Sequence, residues 1–151
     1  MTARKSHRWT TSLAALLVLG VPLATGPAFA AGQDVTYRAA LTGGSEVPAT
    51  ASSGKGEITA TFDPATKRLS WSGQYSGLTG PVTAAHFHGP AKAGENAGVL
   101  VPVTAASSPF TGEATLDDAK AADLEAGKVY FNLHTAANPK GEIRGQMERA
   151  P

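Results

Sequence analysis

Residues 128–148, KVYFNLHTAANPKGEIRGQME, decide the fold class because they contain two strand patterns joined by a turn. In 128–135, apolar and polar side chains alternate, which is typical of a half-buried β-strand. The small and polar residues of 136–141 predict the turn, and 141–148 predicts the returning strand. We place the apolar members of the first strand in the core: Val129, Phe131 and Leu133. The polar members then lie on the opposite face of the sheet: Tyr130, Asn132 and His134.

The same alternation recurs along the chain and predicts about eight strands: 34–41, 56–64, 68–78, 82–89, 98–104, 110–116, 128–135 and 141–148. The alanine-rich segment 116–128 differs, and its early aspartates and Gly127 predict one short helix near 117–126. We therefore expect an all-β fold, a Greek-key or immunoglobulin-like antiparallel β-sandwich. The predicted core residues are the apolar members of the strands: Phe62, Trp71, Phe87, Val101, Leu116, Phe131, Leu133 and Ile143.

The first thirty residues have the composition of a secretory signal peptide. Three basic residues precede the apolar run 12–30, which ends in Ala-Phe-Ala, so we expect cleavage after Ala30. The apolar run is too short and too interrupted by Gly and Pro for a stable membrane span. The sequence thus predicts a signal peptide at 1–30 and a single domain at 31–151. We expect that domain to be secreted, periplasmic or in the cell envelope.

The charge balance and the lack of cysteine exclude several classes of function. Without residues 1–30, which hold three basic and no acidic residues, the 13 Lys and Arg become ten against 12 Asp and Glu. A mildly acidic domain without a basic stripe does not favour nucleic acid as a partner. Because the chain has no cysteine, disulfides, thiolate ligands and thiolate catalysis are all excluded.

Only three histidines remain after signal removal: His86, His88 and His134. The first two are one residue apart on a predicted strand, so both rings leave the same face about 6.6 Å apart. With a third histidine from a neighbouring strand they would form a three-nitrogen metal site with an open position, and imidazole suits copper and zinc. In that case we expect one ring nitrogen of each to lie within about 5 Å of the others.

A second interpretation is that the paired histidines donate hydrogen bonds to loop carbonyls and organise the segment GPAKAGENAG, 89–98. On either interpretation, polar residues of the same faces could support the histidines: Tyr130, Asn132, Glu142 and Arg144. We expect Glu142 and Arg144 to act mainly as an ion pair or in holding a turn. Glu95 and Asn96 could line a pocket beside the histidines.

Three ordered motifs, GGSEVP, AAHFHGPAKAGENAGVLVPV and LEAGKVYFNLHTAANPKGEIRGQ, resemble the CHRD (chordin-type) domain family. The resemblance extends from Val35 to Gln146. It implies an immunoglobulin-like or Greek-key β-sandwich of the kind found in exported bacterial proteins and in chordin. Chordin is an extracellular protein that binds growth factors, but most bacterial members of the family have no assigned activity, so the resemblance implies little about chemistry.

A weaker resemblance concerns copper/zinc superoxide dismutase, a Greek-key sandwich whose copper ligands include a His-x-His strand and a late histidine. HFH at 86–88 and NLH at 132–134 are similar to that pattern. The chain lacks a fourth histidine in the domain, a zinc-loop cluster and a cysteine pair, so a complete dismutase site is not expected. Fold likeness alone is a weak argument for function.

These observations favour an exported binding protein that holds a transition metal, copper before zinc, through His86, His88 and His134. The first alternative is a structural or adhesive envelope module whose partner is an extracellular protein and whose histidines organise loops. The second alternative is a copper-dependent, superoxide dismutase-like redox activity. We expect a binding protein more than an enzyme.

Overall fold

Nine antiparallel strands and one α-helix form the described part of the chain in the computed structural model, which covers residue 2 and residues 32–151. Apart from residue 2, the predicted signal peptide lies outside the described residues and stays a prediction. The strands are β1 Val35–Thr42, β2 Lys55–Asp63, β3 Arg68–Ser76, β4 Val82–His88, β5 Val99–Val103, β6 Phe110–Thr115, β7 Tyr130–Thr135, β8 Ile143–Gln146 and β9 Glu148–Arg149. The α-helix, α1, is Asp118–Glu125, and a short 3-10 helix covers Gly43–Ser45.

The all-β prediction is confirmed, and each predicted strand is present within two residues of its expected start. Helix α1 also forms where expected: the Asp117 side chain accepts a hydrogen bond from the Lys120 amide, and Gly127 follows with φ of 68°. The predicted last strand is divided into β8 and β9 because Glu148 and Arg149 pair with β1, whereas Ile143–Gln146 pair mainly with β7. No helix among the described residues is long and apolar enough to span a membrane.

The strands form one sheet in the order β5-β4-β7-β8-β1-β2-β3-β6, and β9 pairs with β1. The sheet is narrowest between β1 and β8, where Thr42 and Arg144 are the only paired residues. It folds over at this junction and nearly closes into a barrel. Its two four-stranded halves, β5-β4-β7-β8 and β1-β2-β3-β6, therefore enclose a common core.

Aromatic side chains join the two halves of the sheet in this core. Trp71 of β3 meets Phe87 of β4 edge to face with ring centroids 5.2 Å apart, and Phe110 of β6 stacks on Phe131 of β7 at 5.8 Å. Each such fully buried side chain contributes about 1.5–3 kcal/mol to folding. All eight predicted core residues are buried, so the assignment of apolar faces from alternation is confirmed.

The opposite, polar face of β4, β7 and β8 is also buried, because loops lie over it. The Asn96 side chain of the 89–98 loop donates a hydrogen bond to the carbonyl of Val47 in the 43–54 loop, which links these two loops to each other. Gln146 of β8 donates to the carbonyls of Ala91 and Gly127. As a result, several polar residues of this face are almost completely shielded from solvent: His88, Asn132, His134 and Arg144.

Glu142, immediately before β8, holds three loop and strand segments together. Its carboxylate, fully buried, accepts hydrogen bonds from the Ser52 hydroxyl at 2.7 Å, from the amide and hydroxyl of Thr79 at 2.8 and 2.6 Å, and from the Thr135 hydroxyl. Burial alone raises the pKa of this carboxyl, but the hydrogen bonds from Thr135, Thr79 and Ser52 outweigh that effect and lower it to about 2.

The charge of Glu142 should stabilise the fold in a defined range of pH. Its folded-state pKa of about 2 lies below the ordinary 4.5, so the stabilisation is complete above about pH 4.5 and is lost as the pH falls towards 2. We expect Glu142→Gln to lower the free energy of unfolding by about 2–3 kcal/mol at pH 7 and by progressively less below pH 4.5. Urea unfolding at a series of pH values measures this. Glu148→Gln, at an exposed position, is the control. If Glu142→Gln lowers the free energy of unfolding by the same amount at every pH, the lowered pKa of Glu142 is contradicted.

The narrow junction between β1 and β8 depends on a glycine without a side chain. A Cβ atom on Gly145 would lie 2.3 Å from the carbonyl oxygen of Ala40, a backbone atom that cannot move aside. We therefore expect Gly145→Ala to lower the free energy of unfolding by about 3 kcal/mol in chemical denaturation. Gly98→Ala, whose Cβ would meet nothing within 4 Å, should change it by less than about 0.5 kcal/mol. Equal effects of the two substitutions would show that the junction tolerates a wider separation.

Candidate metal centre

The three histidines come together because β4 and β7 are antiparallel neighbours. Their continuous register pairs Ala84 with His134, His86 with Asn132 and His88 with Tyr130. Successive side chains of a strand point to opposite faces, so both β4 histidines share a face with His134. His134 lies diagonally across from His86, at a separation that long side chains bridge.

One ring nitrogen from each of His86, His88 and His134 lies within 4.8 Å of the other two. Nδ1 of His86 and Nε2 of His134 lie 3.1 Å apart and form a hydrogen bond. This agrees with the spacing of about 5 Å expected from the sequence. Among the residues that the structure describes, no other group of histidines and carboxylates has this geometry.

Backbone carbonyls determine which nitrogen of two histidines carries the proton. Nδ1 of His88 lies 3.0 Å from the carbonyl oxygen of Ala97, and Nδ1 of His134 lies 3.1 Å from that of Pro139. A carbonyl oxygen only accepts hydrogen bonds, so each Nδ1 is the N–H donor and each Nε2 is unprotonated. Nε2 of His134 then accepts the hydrogen bond from Nδ1 of His86. Nε2 of His88 is buried and has no hydrogen-bond partner. In the metal-free chain, one unprotonated nitrogen of the cluster is thus shared with His86 and another has no partner.

Burial keeps the three imidazoles neutral. Loss of solvent is the main cause that lowers the pKa of His86, His88 and His134 below the ordinary 6.5. For His86, repulsion by His134 and His88 lowers the pKa further, whereas the carbonyl contacts of the other two histidines act in the opposite direction. Neutral imidazole is the form that binds metal ions, so the cluster needs no proton release at neutral pH.

Tyr130 and Arg144, both expected to support the histidines, form a stack beside His88. The Tyr130 ring is parallel to the His88 ring within 4°, with centroids 4.8 Å apart. The guanidinium carbon of Arg144 lies 3.3 Å from the Tyr130 ring centroid. Arg144 also donates to the Asn96 side chain and the Glu95 carbonyl, so these two loop residues contact the arginine.

Asn132 is adjacent to the cluster and is bound by an acid that the sequence analysis missed. Its Nδ2 donates to Oε1 of Glu46 at 3.4 Å, while its Oδ1 is buried without a partner. Glu46 is itself buried, and burial raises the pKa of its carboxyl. The motif GGSEVP contains this residue, but only the folded loop places it over β7, so alternation along the chain offered no signal for it.

Glu142, the fourth residue expected to support the histidines, is directed elsewhere. Its carboxylate bonds to the Thr135 hydroxyl, and alternation places Thr135 on the face opposite His134. Because β8 begins only at Ile143, Glu142 belongs to the preceding turn and does not follow the alternation of the strand. Within the described region no salt bridge joins Glu142 to Arg144, and of the two alternatives expected for Glu142 the hydrogen bonds favour holding a turn.

The arrangement presents three neutral imidazoles, and backbone carbonyls set the tautomers of two of them. His88 and His134 are each 8 % exposed, whereas His86 is half-buried and provides the solvent-facing side of the cluster. Such a set can hold one ion between the strands and leave a position open on the side of His86. The cluster thus has the features of a small cation site.

Comparison with known families agrees with the resemblance noted in the sequence. Neither the curated proteins nor the solved structures include a significant match to this chain. The family model of the CHRD domain matches residues 37–147, which run from within β1 to one residue past β8 and include all three clustered histidines. The chain belongs to the CHRD domain family.

Proposed function

We propose that this CHRD domain binds a transition-metal ion, copper in preference to zinc, through His86, His88 and His134. The observation that carries the proposal is the convergence of three ring nitrogens within 4.8 Å, two of them on rings whose other nitrogen is bound to a backbone carbonyl. Metal-binding histidines in proteins commonly donate their second N–H in this way, which sets the tautomer and the direction of the ring.

The unpartnered polar atoms of the cluster fit a cation. Nε2 of His88 and Oδ1 of Asn132 are both buried acceptors without a donor. A buried polar group without a partner costs about 1–3 kcal/mol, which coordination or a water held at the metal would recover. The residues present therefore suit a bound cation.

The donor set indicates the class of metal. Three imidazoles without a carboxylate in the group do not suit calcium or magnesium, which take oxygen ligands. Imidazole suits copper and zinc, and copper binds such sites more tightly by the Irving–Williams order. Bound copper would supply a Lewis acid and a one-electron couple, so a superoxide dismutase-like reaction is an extension of this proposal.

We also propose that the domain acts outside the cytoplasm, after cleavage of the predicted signal peptide at Ala30. Extracellular placement is typical of CHRD domains. Copper and zinc would reach the cluster there through the side of His86.

A second candidate function is a structural or adhesive module that binds an extracellular or envelope protein. The hydrogen bonds of His88 to Ala97 and of His134 to Pro139 favour it, since they also hold the loops 89–98 and 136–141. This candidate predicts that the histidines stabilise the loops and have no special affinity for metals.

Metal titration of the purified full chain distinguishes the two candidates. Isothermal titration with Cu(II) and Zn(II) against a competing chelator should give one site, tighter for copper. We expect His86→Ala, His88→Ala or His134→Ala each to weaken copper binding about 100-fold or more, because each substitution removes one of three ligands. Glu148→Gln, at an exposed residue of β9, is the control and should leave the site unchanged. If the triple variant of the clustered histidines binds Cu(II) as tightly as the native chain, the proposal fails and the structural candidate remains.

A further inference from the structure

Tyr130 lies between His88 and Arg144 in the buried polar face. Strand β7 is flanked by β4 on one side and β8 on the other, so the His88 ring stacks on one side of Tyr130 and the guanidinium of Arg144 on the other. The three groups form a continuous stack from the cluster towards the β1–β8 junction, where Arg144 pairs with Thr42.

Arg144 is 2 % exposed, and among the described residues no carboxylate forms a salt bridge with it. Burial lowers the pKa of its guanidinium, and the charge of Glu46 acts in the opposite direction. A buried guanidinium without an ion-pair partner is costly unless hydrogen bonds and ring contacts replace water. Here the replacements are the side-chain oxygen of Asn96, the backbone carbonyl of Glu95 and the face of Tyr130. Its hydrogen bonds thus hold the segment 95–96 against the sheet.

The same segment ends at the carbonyl that sets the tautomer of His88. The Ala97 carbonyl oxygen accepts from Nδ1 of His88 at 3.0 Å and from the Tyr130 hydroxyl at 3.4 Å. The Ala97 amide donates to the Tyr130 hydroxyl at 3.3 Å. Arg144 therefore acts on Ala97 by two routes, through its neighbours Glu95 and Asn96 and through the Tyr130 ring.

We propose that Arg144 is a positioning residue: it holds residues 95–97 and the Tyr130 ring so that His88 stays in the Nδ1–H tautomer with Nε2 towards His86 and His134. The consequence for metal affinity rests on the proposed function, whereas the tautomer of His88 is a property of the metal-free chain. The guanidinium acts here by its shape, because it donates along two directions in one plane while stacking on a ring.

Arg144→Lys separates this role from a general effect of charge. Lysine keeps the positive charge but can neither form the planar fork nor stack as a guanidinium does. If Arg144 acts only through its charge, Arg144→Lys should behave like the native chain. If it positions residues 95–97, the lysine variant should release them.

The tautomer is read from two-bond proton–nitrogen NMR spectra of the imidazoles in the metal-free full chain. In the native chain we expect His88 to show one protonated Nδ1 and one unprotonated Nε2. In Arg144→Lys we expect averaged nitrogen shifts that indicate both tautomers. Arg149→Lys, an exposed arginine on β9, is the control and should match the native spectrum. A single unchanged tautomer in Arg144→Lys would overturn the proposal.

Asn96→Ala keeps the test valid if Arg144→Lys does not fold. Asn96 is an exposed loop residue whose side chain accepts a hydrogen bond from Arg144 and donates one to the Val47 carbonyl. Because alanine removes both hydrogen bonds, we expect the same tautomer averaging to a smaller extent. Unchanged His88 shifts in a folded Asn96→Ala would also count against the proposal.

Copper titration of the same variants separates this proposal from the proposed function. We expect Arg144→Lys to weaken Cu(II) binding about 10- to 100-fold, as for other residues that orient a metal ligand. If the native chain binds no copper while Arg144→Lys still averages the tautomers, the proposed function fails and the positioning role stands. If the native chain binds copper and Arg144→Lys keeps both its tautomer and its affinity, the positioning role fails and the proposed function stands.

Discussion

The pairing of β4 with β7 is the constraint on which the rest of the structure depends. Its register places Phe87 opposite Phe131 in the core and, one residue earlier, His86 opposite Asn132 on the other face. The same backbone hydrogen bonds therefore fix both the aromatic core and the histidine cluster. A shift of one residue would exchange the two faces, burying histidines among aromatic rings and exposing phenylalanine to the loops.

The second face of β7 is buried without becoming apolar, which requires a partner for nearly every polar group. Loops supply these partners. The backbone carbonyl of Ala97 accepts a hydrogen bond from His88, and that of Pro139 accepts one from His134. The Asn96 side chain and the Glu95 carbonyl accept hydrogen bonds from Arg144. Only a few atoms are left unsatisfied, among them Nε2 of His88 beside the other two histidines. Burial also lowers the pKa of the three histidines, so their imidazoles are neutral and this face carries nitrogen atoms that can bind a metal ion.

Alternation along single strands was sufficient to predict the all-β class, the eight core residues and the shared face of the three histidines, because each depends only on the pleat of a strand. It could not predict the partners contributed by loops. Glu46 and Glu142 are both buried acids whose partners are distant in sequence, and the direction of Glu142 changes because β8 starts one residue after it. The division of the last strand depends on a change of pairing partner from β7 to β1, which no local pattern signals.

The central claim is that the three histidines form a preformed site for one transition-metal ion. X-ray absorption at the copper edge, measured on the full chain loaded with one equivalent of Cu(II), tests it most directly. A three-histidine copper site predicts three imidazole nitrogens at about 2.0 Å together with the outer-shell scattering of imidazole rings. A spectrum with one imidazole or none, or one that is the same in the variant lacking His86, His88 and His134, would contradict it.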